Sequence, residues 1–286
     1  MSAIAVIGGS GLYDLEGLSN IERLDIETPF DKPSDTIIGG DLNGQKVWFL
    51  PRHGKGHRLL PSEIPHRANF WALSSLGVQW VIGVGAVGSL KEELPPLHVV
   101  LPDQFYDRTT HRSEHTLFGQ GIVAHLPFGH PTNNYLRSCL ADACSELGLP
   151  CQSHGTYVNM DGPAFSTKAE SEVNRSHGFD LIGMTHVAEA KLARESEMAY
   201  ASLCLVTDYD CWKDQDVNVQ EIIKYLKTNV ANAKRIIDLV TKTLKTEQSQ
   251  PEFTMLDTSI LTPVQDWPAN TQANLEPILK RFLANQ

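Results

Sequence analysis

Apolar residues fall into two textures along this chain, short solid runs and longer stripes at helical spacing, and the two alternate. Ile4-Ala5-Val6-Ile7 is the first solid run. Val47-Trp48-Phe49-Leu50, Trp80-Val81-Ile82-Gly83-Val84, Val99-Val100-Leu101, residues 156–160, Leu181-Ile182-Gly183-Met184 and residues 200–206 repeat it. Runs this short and this apolar suit strands covered on both faces. Between them the spacing predicts helices over 62–76, 134–147, 167–176, 187–197, 219–245 and 273–283. The first carries Ala68, Trp71, Ala72 and Leu76 on one side and is stopped by Gly77; the long one carries Ile222, Ile223, Leu226, Val230, Ala233, Ile237 and Val240. Residues 103–130 show little periodicity and hold Arg108, Thr109, Thr110, His111, Arg112, Glu114 and His115. They read as a long ordered loop, the kind that is functional or makes subunit contacts. Residues 246–268 are polar with three prolines and read as a connector. Strand–helix alternation of this sort predicts an α/β fold with a largely parallel or mixed sheet.

The turns at the strand ends carry the chemistry. The first run ends in Gly8-Gly9-Ser10-Gly11, a turn whose N–H groups and hydroxyl form an anion cradle. Its spacing is neither that of a dinucleotide loop nor that of a Walker loop. In open α/β sheets ligands sit at the carboxyl ends of the strands. Those ends supply Ser10, Arg52, His53, Gly85, Ala86 and Thr185, all donors suited to a phosphate oxyanion. Singly, Arg52 reads equally as a surface ion pair and His53 as a core histidine; it is their joint occurrence that favours a site. Asp208 and Asp210 come after the last strand two residues apart, so in an extended segment they point to the same side. Close, sheltered carboxylates do not easily both ionise, and a protonated one can serve a purine N7 while its neighbour accepts from an exocyclic amine. A helix N-cap or a divalent metal are the other readings of this pair. Phe165, after Gly162-Pro163, is placed to stack on a planar base or to fill the core.

Composition narrows the partners. The 286 residues are 41% hydrophobic, enough for one large core or at most two domains. A net charge of −10 argues against nucleic acid and anionic membrane as main partners, though a small anion needs only a local positive pocket. No run of 18 apolar residues occurs and no basic stretch precedes an apolar one at the N-terminus, so neither a membrane span nor a secretory signal is expected. Cys139, Cys144, Cys151, Cys204 and Cys211 are scattered without metal or disulfide spacing, which suits a reducing cytoplasm.

Taken together, the motifs resemble one family. Ile7-Gly8-Gly9-Ser10-Gly11-Leu12, Thr28-Pro29-Phe30, Pro33-Ser34-Asp35, Arg52-His53-Gly54, Ala68-Asn69 with Trp71-Ala72-Leu73, Gly88-Ser89-Leu90, Asp103-Gln104-Phe105, Asp107-Arg108-Thr109-Thr110, Gly162-Pro163 with Phe165-Ser166, Met184-Thr185 and Thr207-Asp208-Tyr209-Asp210-Cys211-Trp212 are similar to those of the trimeric purine nucleoside phosphorylases, most closely the methylthioadenosine branch. The resemblance covers nearly the whole chain. It implies a single α/β domain over 1–246, three-layered, with a mixed, partly barrel-like sheet, then a connector and helix over 247–286 that pack on it or on a neighbouring subunit. It implies reversible phosphorolysis of methylthioadenosine, with inorganic phosphate as co-substrate and no metal or organic cofactor. Phosphate would lie against Ser10, Arg52, His53, Gly85, Ala86 and Thr185. Met184 and Ile182 would line the ribose, and Phe165 and Ser166 the base. Asp208 and Asp210 would read the purine edge, with Asp208 as the acid at N7. His125, Val219, Ile222 and Leu279 would form the 5′-methylthio pocket, completed across the interface of a homotrimer.

Three departures stand out. Gly85 replaces a frequent Thr; Asp161 and Ala164 replace a Glu and an Arg; His186 and Ala188 replace a Thr and a Pro. The first two bear on phosphate affinity and the third on the ribose pocket. The rival readings are a 6-oxopurine phosphorylase, a water-using nucleosidase and a non-catalytic nucleotide-binding module. No Asn stands in 207–212 to face a 6-oxo group, and the first Gly loop lacks dinucleotide spacing.

Overall fold

A computed structural model describes residues 2–9, 11–12, 16–110, 112–213 and 219–286, with the side chain of Glu221 excepted. Strand β1 (Ala3–Gly8) is buried along its whole length. After it come β2 (Ser19–Leu24), β3 (Ile37–Leu42), β4 (Gln45–Pro51), α1 (His66–Ser75), β5 (Val78–Ser89), β6 (Val99–Val100) and β7 (Gln104–Asp107). The second half contains α2 (Asn134–Glu146), β8 (Cys151–Gln152), β9 (Thr156–Asn159), α3 (Lys168–Ser176), β10 (Leu181–Gly183), α4 (His186–Glu195), β11 (Ala199–Asp208), α5 (Val219–Thr243), α6 (Ala269–Asn274) and α7 (Glu276–Ala284). Among the described residues no helix is long and apolar enough to cross a membrane.

The sheet is mixed, as the alternation predicts. Its main path runs β2-β3-β4-β1-β5-β10-β9-β7. β1 pairs in parallel with both β4 and β5, whereas β10 runs antiparallel to β5. β11 lies parallel along the other edge of β5 and then pairs β6, which pairs β8. The sheet therefore branches at β5 and stays open, which corrects the partly barrel-like form expected. The branch has a local cause. β1 pairs β5 only up to Gly83, and β10 joins that edge of β5 only at Gly88 and Ser89. In between, residues 84–87 of β5 form no ladder on that edge, and a cleft opens.

Period-2 alternation divides the core into two layers. Ile4, Val6, Phe49, Trp80 and Ile82 face α2 and α5 on one side. Ala3, Ala5, Ile7, Trp48 and Leu50 face α1, α4 and α7 on the other. Asn133 caps α2 by accepting from the Leu136 N–H, and Thr167 and Glu170 close a capping box on α3.

Four predicted elements change. The stretch 103–130, expected as a loop, opens with β7, which pairs in parallel with β9. The helix expected from residue 62 starts at His66, because Pro61 and Pro65 confine the preceding residues to a 3₁₀ turn and an extended link. The last helix is two, α6 and α7, broken at Leu275 just before Pro277. Leu279, expected on the wall of a ligand pocket, is fully buried in the α1/α4/α7 layer beside Ile278 and Phe282, so it is a core residue. The long helix α5 buries its stripe only from Ala233 onward, while Val219, Ile223 and Leu226 stay exposed.

Candidate active site

The carboxyl ends of β1, β4, β5 and β11 and the start of α4 meet at the cleft in the sheet. Arg52 fills its floor. Its Nη2 donates to Ile7 O on β1 (3.3 Å) and its Nη1 to Val84 O on β5 (2.8 Å), so the guanidinium bridges two strands that have stopped pairing. Nε and Nη2 also donate to the Glu189 carboxylate from α4, which in turn accepts from Tyr200 Oη at 2.9 Å. Arg52 is 3% exposed and Glu189 1%. Burial opposes the Arg52 charge, but the adjacent Glu189 charge prevails and holds it protonated. Burial and Glu189 likewise keep Tyr200 a neutral donor. Of the five Arg52 N–H groups, expected against phosphate, four go to Ile7 O, Val84 O and Glu189 and one on Nη1 remains uncommitted among the described residues, so the side chain chiefly holds the cleft's shape. Gly83 admits this cluster, since a Cβ there would stand 2.6 Å from Glu189 Oε2.

Above that floor stand the residues expected to meet an anion. Ala86 is exposed and Gly85 half-buried on the stretch of β5 that pairs only with β11. Thr185 occupies the N-cap position of α4 without making a side-chain cap bond. The helix start gives the site positive character. Ser10 lies outside the described residues, as does His111. His53 departs from its expected role. Its Nδ1 faces Leu59 O at 2.9 Å, so Nδ1 carries the proton, and burial with the nearby Arg52 charge pushes its pKa down to about 4. A neutral ring with its proton on Nδ1 offers Nε2 as an acceptor, suited to the P–OH of monohydrogen phosphate rather than to a bare oxyanion.

Asp208 ends β11 opposite Gly88, after a register shift at Val206. The pair with Asp210 is not made by strand alternation as expected. The chain turns: Asp210 has φ of 53° and its N–H donates to Asp208 Oδ1 at 2.8 Å. Asp208 Oδ2 accepts from the Thr207 hydroxyl at 2.8 Å. Asp210 is 5% exposed, and its Oδ2 has no hydrogen-bond partner among the described residues, with the Ser166 and Ser171 hydroxyls nearby. Burial raises both carboxyls above the usual aspartate value, and for Asp208 the Asp210 charge adds to it. The turn is pinned by Trp212, whose Nε1 donates to Ser89 O at 2.8 Å and whose ring lies 3.7 Å under the Arg175 guanidinium carbon.

The remaining predicted residues separate. Phe165 is 47% exposed and free to cover a flat ligand; Ser166 sits in the same turn, its carbonyl accepting from Cys211 Sγ. Met184 borders a cavity of about 90 Å³ lined also by His66, Glu114, His115, Asn159 and Asp161. Ile182 is buried in a small core cluster with Leu90, Val158 and Phe179, so it supports the β5–β10 junction rather than lining a surface. Val219 is exposed and Ile222 half-buried at the start of α5, and Gly11 approaches Val230 further along the same helix. His125 is exposed on a segment whose backbone pairs with 259–261, on the outer face of the α1/α4/α7 layer. Sequence reasoning missed Glu189 and Tyr200; beside His125, Leu261 is 63% exposed and bonded through its backbone to Val123. An acidic residue on the inward stripe of an apolar helix was the available signal for Glu189.

An open mixed sheet with a sheltered carboxylate pair at adjoining strand ends defines a nucleoside phosphorylase type of fold. The sequence profile of the phosphorylase superfamily matches residues 3–242, and the chain belongs to that family. It is 47% identical over 282 residues to the S-methyl-5′-thioadenosine phosphorylase of Geobacter sulfurreducens, covering 98% of this chain and 99% of that protein. A methylthioadenosine phosphorylase from an antarctic soil metagenomic library has a crystal structure that superposes with a TM-score of 0.93 at 44% identity, covering 97% of this chain and 99% of that one. The methylthioadenosine phosphorylase of Schistosoma mansoni in complex with adenine superposes at 0.82 with 31% identity, covering 98% of both chains.

Two outcomes are expected from the buried groups. Glu189→Ala leaves the Arg52 charge unpaired in the core, and urea unfolding should show a loss of about 3–5 kcal/mol. His53 and His66 are held neutral chiefly by burial, at about 4 and about 3. The unfolded chain binds a proton at each near pH 6.5, where the folded chain does not, so stability is full above 6.5 and falls as the pH drops toward 4. In urea titrations, His66→Gln should flatten that acid limb by about 1.4 kcal/mol per pH unit.

Proposed function

We propose that this chain is a pentosyltransferase that cleaves 5′-methylthioadenosine with phosphate, giving adenine and 5-methylthioribose 1-phosphate. The observation that carries the reading is a spacing along one strand. Ala86 marks the anion donors, and Gly88, two residues on, is the register partner of Asp208. Two strand residues span about 7 Å, room for one pentose between a phosphate and a base.

The chemistry is driven by charge. Phosphate rests on the Ala86 N–H, the Thr185 hydroxyl and the start of α4, with His53 Nε2 accepting its P–OH. As the N9–C1′ bond lengthens, the sugar gains oxocarbenium character and the phosphate below stabilises it electrostatically. The electron pair passes into the purine. Asp208, whose proton affinity burial and the Asp210 charge raise, serves as the general acid at N7, and a phosphate oxygen closes on C1′. Asp210 accepts from the exocyclic amine, Phe165 covers the base with Ser166 beside it, and Met184 lines the sugar. No metal or organic cofactor enters the scheme; inorganic phosphate is a co-substrate.

Val219 and Ile222, with the exposed Ile223 beside them, offer an apolar wall for the methylthio group. A neighbouring copy completes that pocket in this reading, bringing His125 with the exposed Val123 and Leu261 on either side of it, in a homotrimer. A cytoplasmic setting, where scattered thiols stay reduced, belongs to the same reading.

The test is initial rates of base release from methylthioadenosine and methylthioinosine, with and without phosphate, for the wild type and Asp208→Asn. The wild type should need phosphate and favour the adenine nucleoside. Asp208→Asn should lose about 10²–10⁴-fold on methylthioadenosine and shift preference toward methylthioinosine. Release independent of phosphate would mean a nucleosidase, and unchanged nucleoside preference in the variant would remove Asp208 from the base edge.

A further inference from the structure

His186 is the first residue of α4, and its ring turns back beneath β5. It is 1% exposed and stacks on Tyr157, with 5.2 Å between ring centroids and 7° between planes. Nδ1 lies 3.8 Å from Cys204 Sγ. Nε2 is buried without a hydrogen-bond partner among the described residues, a costly arrangement for a polar atom. It points at Gly85: a Cβ on that residue would stand 2.5 Å from Nε2. The ring therefore occupies the side-chain space of the residue just before the exposed Ala86, and it adjoins Thr185 in sequence. Gly85 and His186 form a matched pair, one vacating the volume the other fills.

We propose that His186 is a further phosphate-binding residue, its Nε2–H donating to the anion at Gly85 and Ala86 where the strand itself offers no side chain. This rests on the phosphorolytic reading above. The tautomer is supplied locally. Burial keeps Cys204 a thiol whose S–H is within reach of Nδ1, and the proposed tautomer takes that bond and carries the single ring proton on Nε2. Burial, with Arg52 and His66 close by, keeps the ring neutral, so the donor arrives without a second buried cation beside Arg52. Tyr157 on the ring face fixes the direction of the N–H.

The test titrates inorganic phosphate onto the full chain without nucleoside, reading the rise in melting temperature and the dissociation constant by calorimetry. His186→Leu keeps volume and removes the donor; its phosphate affinity should fall about tenfold or more. His186→Gln keeps an N–H at the same distance along the side chain and should stay within about threefold of the wild type. Gly85→Ala pushes the ring aside without altering it and should weaken phosphate as His186→Leu does, which preserves the test if the leucine variant fails to fold. At saturating phosphate, the KM for nucleoside should be unchanged in all three. Wild-type phosphate affinity in His186→Leu or Gly85→Ala overturns the proposal, as does an equal loss in His186→Gln. A wild type that binds no phosphate at all would instead overturn the phosphorolytic reading beneath it.

Discussion

The ion pair between Arg52 and Glu189 is the constraint on which the site depends. β1 and β5 stop pairing at Gly83, and a split in a sheet exposes carbonyls that burial would leave unsatisfied. Arg52 answers Ile7 O and Val84 O at once, and Glu189 neutralises it from α4. Buried ion pairs contribute little net stability, but breaking one is expensive, so such pairs specify geometry more than they strengthen it. Here the geometry specified is an open cleft with a helix start aimed into it.

β5 serves the site mainly by what it lacks. Gly83 makes room for Glu189 and Tyr200, Gly85 for His186, and Gly88 for Asp208 and Ile182, whose atoms would lie 3.0 Å from an added Cβ. The central strand thus presents backbone to the ligand, and groups from α4, β10 and β11 pack against it from outside. Helical and strand periodicities meet in this arrangement: residues two apart on the strand receive His186 and Glu189, three apart on the helix. The carboxylate pair at the far end is set by a left-handed turn at Asp210 whose amide ties the two aspartates together.

Much of this was legible in the sequence, because a buried strand that runs into polar or glycine-rich residues leaves a sharp boundary. The ends of β1, β4, β5, β10 and β11 were all marked in that way. What escaped was of three kinds. β2, β3, β7 and β8 were missed, since Ser19–Leu24 is an exposed edge with no apolar run, Ile37–Leu42 carries two glycines, one of them, Gly39, packed against Trp48, and Gln104–Asp107 and Cys151–Gln152 are short and only partly buried. Arg52 was read by its chemistry alone, and no local pattern shows that a guanidinium is consumed by carbonyls 45 and 32 residues away. Leu279 and Ile182 were placed at the ligand although both lie in the core, because an apolar side chain looks the same in a pocket wall and in a packed layer until burial is known.

The central claim is that the cleft held by Arg52 and Glu189 sets phosphate and purine one pentose apart along β5. A crystal structure of the chain with phosphate and adenine bound would measure it directly. The account predicts phosphorus beside the Ala86 N–H and the Thr185 hydroxyl, and purine N7 within hydrogen-bond reach of Asp208, with Arg52 still bridging β1 and β5. Phosphate drawn onto an Arg52 side chain that has left Ile7 O and Val84 O, or adenine seated away from Asp208 and Asp210, would contradict it.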